Sequence, residues 1–435
     1  MGRRIVLSTA GTAGDLNPFI AIALELRARG HRPVIATQRE FQPAIEAEGL
    51  AFHLVRPGVD DVRRELGLDA PEIVQRATHG SSGLEFAVRR IAMPFLRRAF
   101  DDMMAATVDA DLVVTHTSAF AARLAAEKRG LPWLSTALAP FTFMSVYDPP
   151  ILSTLPPLKT LRRMTGARSD AALARVVRLA TASWTGKFQQ MRTRLGLPRS
   201  ANPLFEGQFS PFGTLALYSP LFGSLQPDFP PDCAMTGFCF YDRRAGAAER
   251  LPEALAAFLD SGPPPLVFTL GSALTLEPGR FYDVAIKAAR QLGRRAVLLV
   301  GPDAARRLPR SEDVLITEYA PHSLLFPRAC AVVHHGGVGT TAQALRAGKP
   351  QLVVPFFADQ PDNAARVVRL GAGRSLADRA WRPGAATREL GALLNGAYGP
   401  RTEDLSRRLS REHGAVAAAD RIEELMSGPG LRLTA

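Results

Sequence analysis

The densest run of chemically useful residues is His334-His335-Gly336-Gly337-Val338-Gly339-Thr340-Thr341, which follows an apolar stretch and opens a helical pattern. Glycines at such a junction let the backbone approach a ligand closely, and the helix start presents unpaired N–H groups at the positive end of its dipole. Thr340 and Thr341 add hydroxyl donors, and His335 adds a hydrogen-bond donor or a positive charge. Together they suit a pyrophosphate, with no metal ion needed to offset its charge. The plainer alternative is a tight strand-to-helix turn with a threonine N-cap. Two adjacent histidines in front of the turn favour the anion.

A second group stands near the start, in Gly11-Thr12-Ala13-Gly14-Asp15-Leu16-Asn17-Pro18. Asn17 followed by Pro18 makes a good cap and first-turn pair, because proline there gives up no needed donor. The helix is then expected to begin at residue 18, leaving Asp15 in the loop at the carboxyl edge of the first strand. Capping of the helix by Asp15 is the alternative. His116 follows a later strand and reaches the same kind of edge, where it orients Asp15, binds a ligand, or is a histidine satisfied at a strand end. Asp109-Ala110-Asp111 has the Asp-x-Asp spacing of some metal sites. It precedes its strand, however, and sheets of this kind bind ligands at the opposite edge, so no metal site is expected.

These residues need a frame, and the pattern of apolar runs supplies one. Strands are expected at residues 5–8, 33–36, 51–54, 112–115 and 133–137, with helices at 18–29, 42–47, 84–106 and 120–129. A second series places strands at 266–270, 296–300, 314–316, 331–334 and 351–355. Its helices fall at 281–292, 323–326, 340–347 and 363–370, and two more close the chain. Strands separated by such helices form parallel βαβ units. The expected class is α/β: two Rossmann-like doubly wound domains facing across a cleft, with ligands at the carboxyl ends of the strands. The expected division is a first domain at 1–225, a linker at 226–250, where Pro and Gly gather, a second domain at 251–408, and a C-terminal helix at 409–435 packing back on the first domain. The proline- and aromatic-rich stretch at 140–157 does not fit the alternation.

Bulk composition narrows the function classes. With 435 residues, 46% hydrophobic and 22% charged, each half can bury a full core. The net charge of +12 is carried mainly by arginines scattered along helical segments rather than gathered in one aromatic-flanked stripe, which argues against nucleic acid. Attraction to an anionic membrane surface stays open. Three cysteines, Cys233, Cys239 and Cys330, have neither metal-ligand nor framework spacing. No stretch approaches the ~18 apolar residues that span a bilayer, so a soluble, cytoplasmic protein is expected. A dinucleotide oxidoreductase is disfavoured, because the first turn lacks G-x-G-x-x-G spacing and the second strand ends in Ala36-Thr37-Gln38, without the ribose-binding acid.

Residues 319–363 resemble the donor-binding signature of glycosyltransferase family 1. The matching elements are Tyr319-Ala320-Pro321-His322, then His335-Gly336-Gly337-Val338-Gly339-Thr340, then Asp359-Gln360. The overall order is similar to the bacterial branch of macrolide, glycopeptide-antibiotic and sterol glycosyltransferases and to the rhamnosyltransferases of rhamnolipid assembly. Met235-Thr236-Gly237-Phe238 and Pro265-Leu266-Val267-Phe268-Thr269 are among the matching stretches. The resemblance implies a two-domain GT-B fold and an inverting hexosyltransferase. Such an enzyme moves a hexose or deoxyhexose from a UDP- or dTDP-sugar to the hydroxyl of an apolar acceptor (lipid, sterol, polyketide or flavonoid), with no cofactor beyond the nucleotide sugar and no metal.

It further implies residue roles. Tyr319 lies against the nucleobase with His322 nearby; His335, Gly337, Gly339 and Thr340 hold the diphosphate, helped by Ser272 and Gly14; Asp359 and Gln360 bond the sugar hydroxyls. Asp359 serving only to cap the following helix is the alternative. Gln343 stands where plant members carry a ribose-binding glutamate, which leaves uridine and thymidine donors both open; a solvent-facing Gln343 is the other reading. The Gly-Asp-x-x-Pro form resembles the branch in which an aspartate is the base, which gives that role to Asp15, with His116 beside it. Phe141, Phe143, Met144 and Tyr147 are candidates for an apolar acceptor wall or for ordinary core. Two rivals share the architecture: a nucleotide-sugar 2-epimerase, and a catalytically silent nucleotide-sugar-binding partner of another enzyme.

Overall fold

The computed structural model describes residues 2–78, 82–151, 175–242, 250–275 and 278–427. The chain divides into two units, one of Met1–Ala70, Ser81–Tyr241 and His413–Ala435, the other of Pro71–Gly80 and Asp242–Glu412.

In the first unit, β1 (Arg4–Ser8), β2 (Arg32–Thr37), β3 (Ala51–Leu54), β4 (Leu112–His116), β5 (Trp133–Ala137), β6 (Thr214–Ala216) and β7 (Cys233–Met235) form one sheet. Every pair is parallel, in the order β3-β2-β1-β4-β5-β6-β7. Ile5, Val6 and Leu7 are wholly buried, as expected of a parallel strand covered on both faces. The strand order reverses between β1 and β4, which pair with Ser8 opposite Thr115. In the second unit, β8 (Leu266–Thr269), β9 (Ala296–Leu299), β10 (Val314–Thr317), β11 (Ala331–His334), β12 (Gln351–Val353) and β13 (Gly373–Ser375) form a parallel sheet ordered β10-β9-β8-β11-β12-β13. Its reversal lies between β8 and β11, with Thr269 opposite His334. At such a reversal the flanking connections leave toward opposite faces and open a crevice at the strand ends.

The helices that matter to the site are α1 (Ala13–Ala28), α2 (Gly271–Leu274), α3 (Val338–Arg346), α4 (Gln360–Arg369) and α5 (Gly414–Ser427). Within the first unit α5 packs on α1, and Arg29 bonds both Asp420 and Glu423.

Three expectations need correction. First, α1 starts five residues before Pro18. Thr12 is its N-cap and Asp15 closes a capping box, and that reciprocal pair outweighs the Asn17-Pro18 signal. Pro18 sits inside the helix, where its missing N–H leaves the Gly14 carbonyl without an i+4 donor. Second, the segment expected as linker contains β7, the edge strand of the first sheet; residues 243–249 of that linker, like residues 152–157 of the aromatic stretch, lie outside the described residues. Third, β6, β7 and β13 are three residues each, too short to carry a period.

Candidate active site

The first turn, at the β1–β4 reversal, holds Asp15 and His116. Asp15 Oδ2 accepts the Thr12 backbone N–H at 2.6 Å and the Thr12 hydroxyl at 3.0 Å. Its Oδ1 makes no hydrogen bond among the described residues. The capping alternative is therefore realised, yet one carboxylate oxygen stays uncommitted. Gly11 has φ +140°, and a Cβ there would meet Asp15 Oδ2 at 2.3 Å, so only glycine leaves room for the carboxylate. The Gly14 N–H goes to Thr12 Oγ1 at 3.2 Å, so it is used within the cap and is not held out for a ligand as expected.

His116 closes β4, its ring edge-on to buried Phe19 at 6.2 Å. Its Nδ1 lies 2.7 Å from Ser118 Oγ, and that hydroxyl donates to the Ala10 carbonyl at 2.6 Å. The Ser118 backbone N–H also points at Nδ1, at 3.4 Å, so the Ser118 backbone and side chain together hold that face of the ring. Burial lowers the histidine pKa, while the Asp15 charge acts in the opposite direction. The two side chains thus feel one another electrostatically without sharing a hydrogen bond.

The second turn, at the β8–β11 reversal, is built differently. Gly337 is the N-cap of α3 and supplies no side-chain bond. The N–H groups of Val338, Gly339 and Thr340 find no acceptor among the described residues, so the helix start is open to an anion. Thr340 is nearly buried, and Thr341 turns inward to bond the Gly337 carbonyl at 3.0 Å. Of the two hydroxyls expected to serve a ligand, Thr341 is therefore committed elsewhere, by the back-bonding that threonine makes inside helices. Ser272 stands exposed on α2, directly after β8.

His335 lies between two glycines: a Cβ on Gly271 would meet its Cε1 at 2.6 Å, and one on Gly337 its Nε2 at 2.4 Å. Its Nδ1 is buried with no partner among the described residues, and burial, followed by the neighbouring histidines, holds its pKa down at about 3. At neutral pH the ring is therefore uncharged and can act as a hydrogen-bond donor. His334 has a structural task instead. Its Nδ1 accepts the Gly336 N–H at 3.0 Å and its Nε2 bonds Gln351 Oε1 at 2.8 Å, with burial lowering its pKa to about 4.

Beyond the turn, Asp359 occupies the N-cap position of α4 but makes no capping bond; its Oδ2 accepts from Asn363 Nδ2 at 2.7 Å. Gln360 is buried, and its Oε1 takes the N–H groups of Phe356 and Phe357 at 2.9 and 3.2 Å, leaving only its amide nitrogen for other partners. Gln343 does not face solvent: it is buried, with Oε1 lacking a partner among the described residues. The Tyr319 hydroxyl donates to the Asp242 carbonyl at 2.5 Å, and Asp242 Oδ2 accepts the Ser323 N–H at 2.6 Å. The His322 ring stacks on Phe326 at 4.3 Å, and burial lowers its pKa to about 4. Asp242 and Asn363 are the organising residues that sequence reasoning missed. Only the Asp-Gln-x-x-Asn spacing hinted at the second.

The aromatic cluster after β5 splits. Phe143 is core, stacked on Phe229 at 3.9 Å and near Phe209 at 5.4 Å. That corrects its place in an acceptor wall, since a ring packed on both faces offers none to a ligand. Phe141 and Met144 are half-buried, and Tyr147 is 63% exposed. Asp111 is tied to the start of β1 through Arg3 and the Arg4 N–H, at the amino edge. Among the described residues no three His, Cys, Asp or Glu side chains gather as a metal site.

Residues 5–148 match the glycosyltransferase family 28 N-terminal domain, and residues 301–411 the erythromycin biosynthesis protein CIII-like C-terminal domain. The chain is 34% identical to an O-mycaminosyltylonolide 6-deoxyallosyltransferase of Streptomyces fradiae, over 97% of both chains. It is 34% identical to a vancomycin aglycone glucosyltransferase of Amycolatopsis orientalis, over 85% of both. Among solved structures, the spinosyn rhamnosyltransferase SpnG complexed with thymidine diphosphate superposes with a TM-score of 0.65 at 19% identity, covering 97% of this chain and 100% of that one.

Proposed function

The chain belongs to the GT-B glycosyltransferases, in the group of the bacterial natural-product and sterol enzymes, and from that premise we propose that it is an inverting sugar transferase using a UDP- or dTDP-sugar and an apolar hydroxylated acceptor. The observation that carries this reading is the uncapped start of α3, whose free N–H groups and neutral His335 suit a nucleoside diphosphate leaving group. The donor half is assigned to the second unit. There Tyr319 and His322 attend the base, Gln343 Oε1 accepts a ribose hydroxyl, and Ser272, Gly337, Gly339 and Thr340 hold the diphosphate. Asp359 and the Gln360 amide nitrogen bond the sugar. The acceptor half is assigned to the first unit, with Phe141, Met144 and Tyr147 near the apolar ligand.

In the proposed step the acceptor oxygen attacks the anomeric carbon from the face opposite the leaving group. The carbon–oxygen bond to the diphosphate breaks, and the acceptor proton passes to Asp15. The free Oδ1 is the oxygen that takes it. His116, whose pKa is lowered by burial, stands close enough to feel the Asp15 charge. The three free thiols fit a reducing cytoplasm, and no helix among the described residues is long and apolar enough to cross a membrane.

The test is incubation of the purified chain with UDP- and dTDP-sugars and a panel of hydroxylated aglycones, read by mass spectrometry and anomeric NMR. A glycoside of inverted configuration is expected. Isomerised donor in the absence of acceptor would make the chain an epimerase, and a donor bound but unchanged with every acceptor would make it a silent partner protein.

A further inference from the structure

Asn363 sits in the first turn of α4 and is wholly buried. Its Nδ2 donates twice, to the Gly336 carbonyl at 2.9 Å and to Asp359 Oδ2 at 2.7 Å. Its Oδ1 is buried without a partner among the described residues. The amide has only one workable orientation, because the flipped form would set its oxygen against two acceptors. An orphaned buried oxygen is unfavourable, and packing alone gives no reason to keep it. The two bonds made by the nitrogen do.

We propose that Asn363 is a positioning residue that joins the diphosphate turn to Asp359, so that one buried amide sets the spacing between the phosphate and sugar subsites. This rests on the donor-site reading above. The Gly336 peptide is held from both sides, its N–H by His334 Nδ1 at 3.0 Å and its carbonyl by Asn363. Gly336 has φ +93°, and a Cβ there would meet Val353 Cγ1 at 2.8 Å and the Gln360 carbonyl at 3.1 Å, so the turn rests directly on the start of α4. The bond to Asp359 is charge-assisted and ties the plane of its carboxylate to the buried amide.

The test is a double-mutant cycle on Asn363→Ala and Asp359→Ala, reading donor KM and kcat, and the Kd of UDP and dTDP alone by calorimetry. Asp359→Ala is expected to raise donor KM about tenfold while leaving nucleoside diphosphate affinity within about twofold, because the turn keeps its Asn363 bond. Asn363→Ala is expected to weaken both, with kcat falling less than KM rises. In the double variant the donor KM should match that of Asn363→Ala alone. A purely structural role would instead give additive effects. Should Asn363→Ala fail to fold, Asn363→Ser keeps one hydroxyl donor and is read in the same cycle. Additive effects, or Asn363 variants that bind UDP and dTDP as tightly as wild type, overturn the proposal while leaving the donor site standing. A wild-type chain that binds neither nucleotide overturns the donor site and this inference with it.

Discussion

The two units each place a Gly-rich turn at the strand-order reversal of a parallel sheet, and the two turns use their helix starts in opposite ways. After β1, Thr12 and Asp15 fill the start of α1 with the helix's own side chains. After β11, Gly337 contributes nothing to the start of α3, and its first N–H groups stay open. A self-capped turn is stable without a ligand and keeps a carboxylate in a fixed place. An uncapped turn gives up that local stability and retains its partial positive charge for an anion. Similar glycine content thus hides opposite arrangements of the helix start. What separates them is whether a short polar side chain stands at the N-cap.

The sharpest way to break the contrast is Asp15→Asn. The amide oxygen can still accept the Thr12 N–H, so the cap survives while the proton acceptor is lost. Turnover should fall by about 10²–10⁴ with donor binding unchanged, the usual span for removal of a general base. Full turnover measured with intact binding would reduce Asp15 to a cap. Next in size is Gly339→Asp, which makes the second turn resemble the first. A Cβ at Gly339 meets nothing within 4 Å, so the backbone need not move. The new carboxylate should hold or raise thermal stability as an acid in a first helical turn, yet weaken donor binding by more than about tenfold through like charge. Unchanged donor affinity by calorimetry would show that no diphosphate docks there.

The mildest effect near neutrality concerns pH. His322 and His334, at about 4, and His335, at about 3, are held below their ordinary value by burial, so the folded chain binds fewer protons than the unfolded one. Stability should therefore decline as pH falls below about 6.5, and keep declining until these folded-state values are reached. Urea midpoints at successive pH values check the slope. A midpoint rising from pH 7 to pH 5 would mean that these rings are not buried neutral.

Much of this molecule was readable in advance. The alternation of strands and helices, the carboxyl-edge location of Asp15 and His116 and the Gly-rich turn that opens a helix after β11 all follow from local pattern. The boundary of α1 did not, because two cap signals compete within seven residues and only the reciprocal Thr12–Asp15 pair satisfies two groups at once. Phe143 was ambiguous for another reason: an aromatic after a strand reads alike as core or ligand wall until Phe229 and Phe209, distant in sequence, are seen against it. The inward turn of Thr341 and the burial of Gln343 were not legible because helical spacing alone does not say which face of a short helix is covered.

From residue order alone came the α/β class, the two turns and the chemistry available at each, because strand and helix periods and cap preferences are local properties of the chain. Tertiary packing decided how those groups are committed. It made Asp15 half cap and half free oxygen, kept His335 neutral, turned Thr341 inward, and brought Asn363 between Gly336 and Asp359. Each of those outcomes depends on burial or on a partner far along the chain, and a side chain's hydrogen bonds and charge are settled only when its surroundings have replaced water.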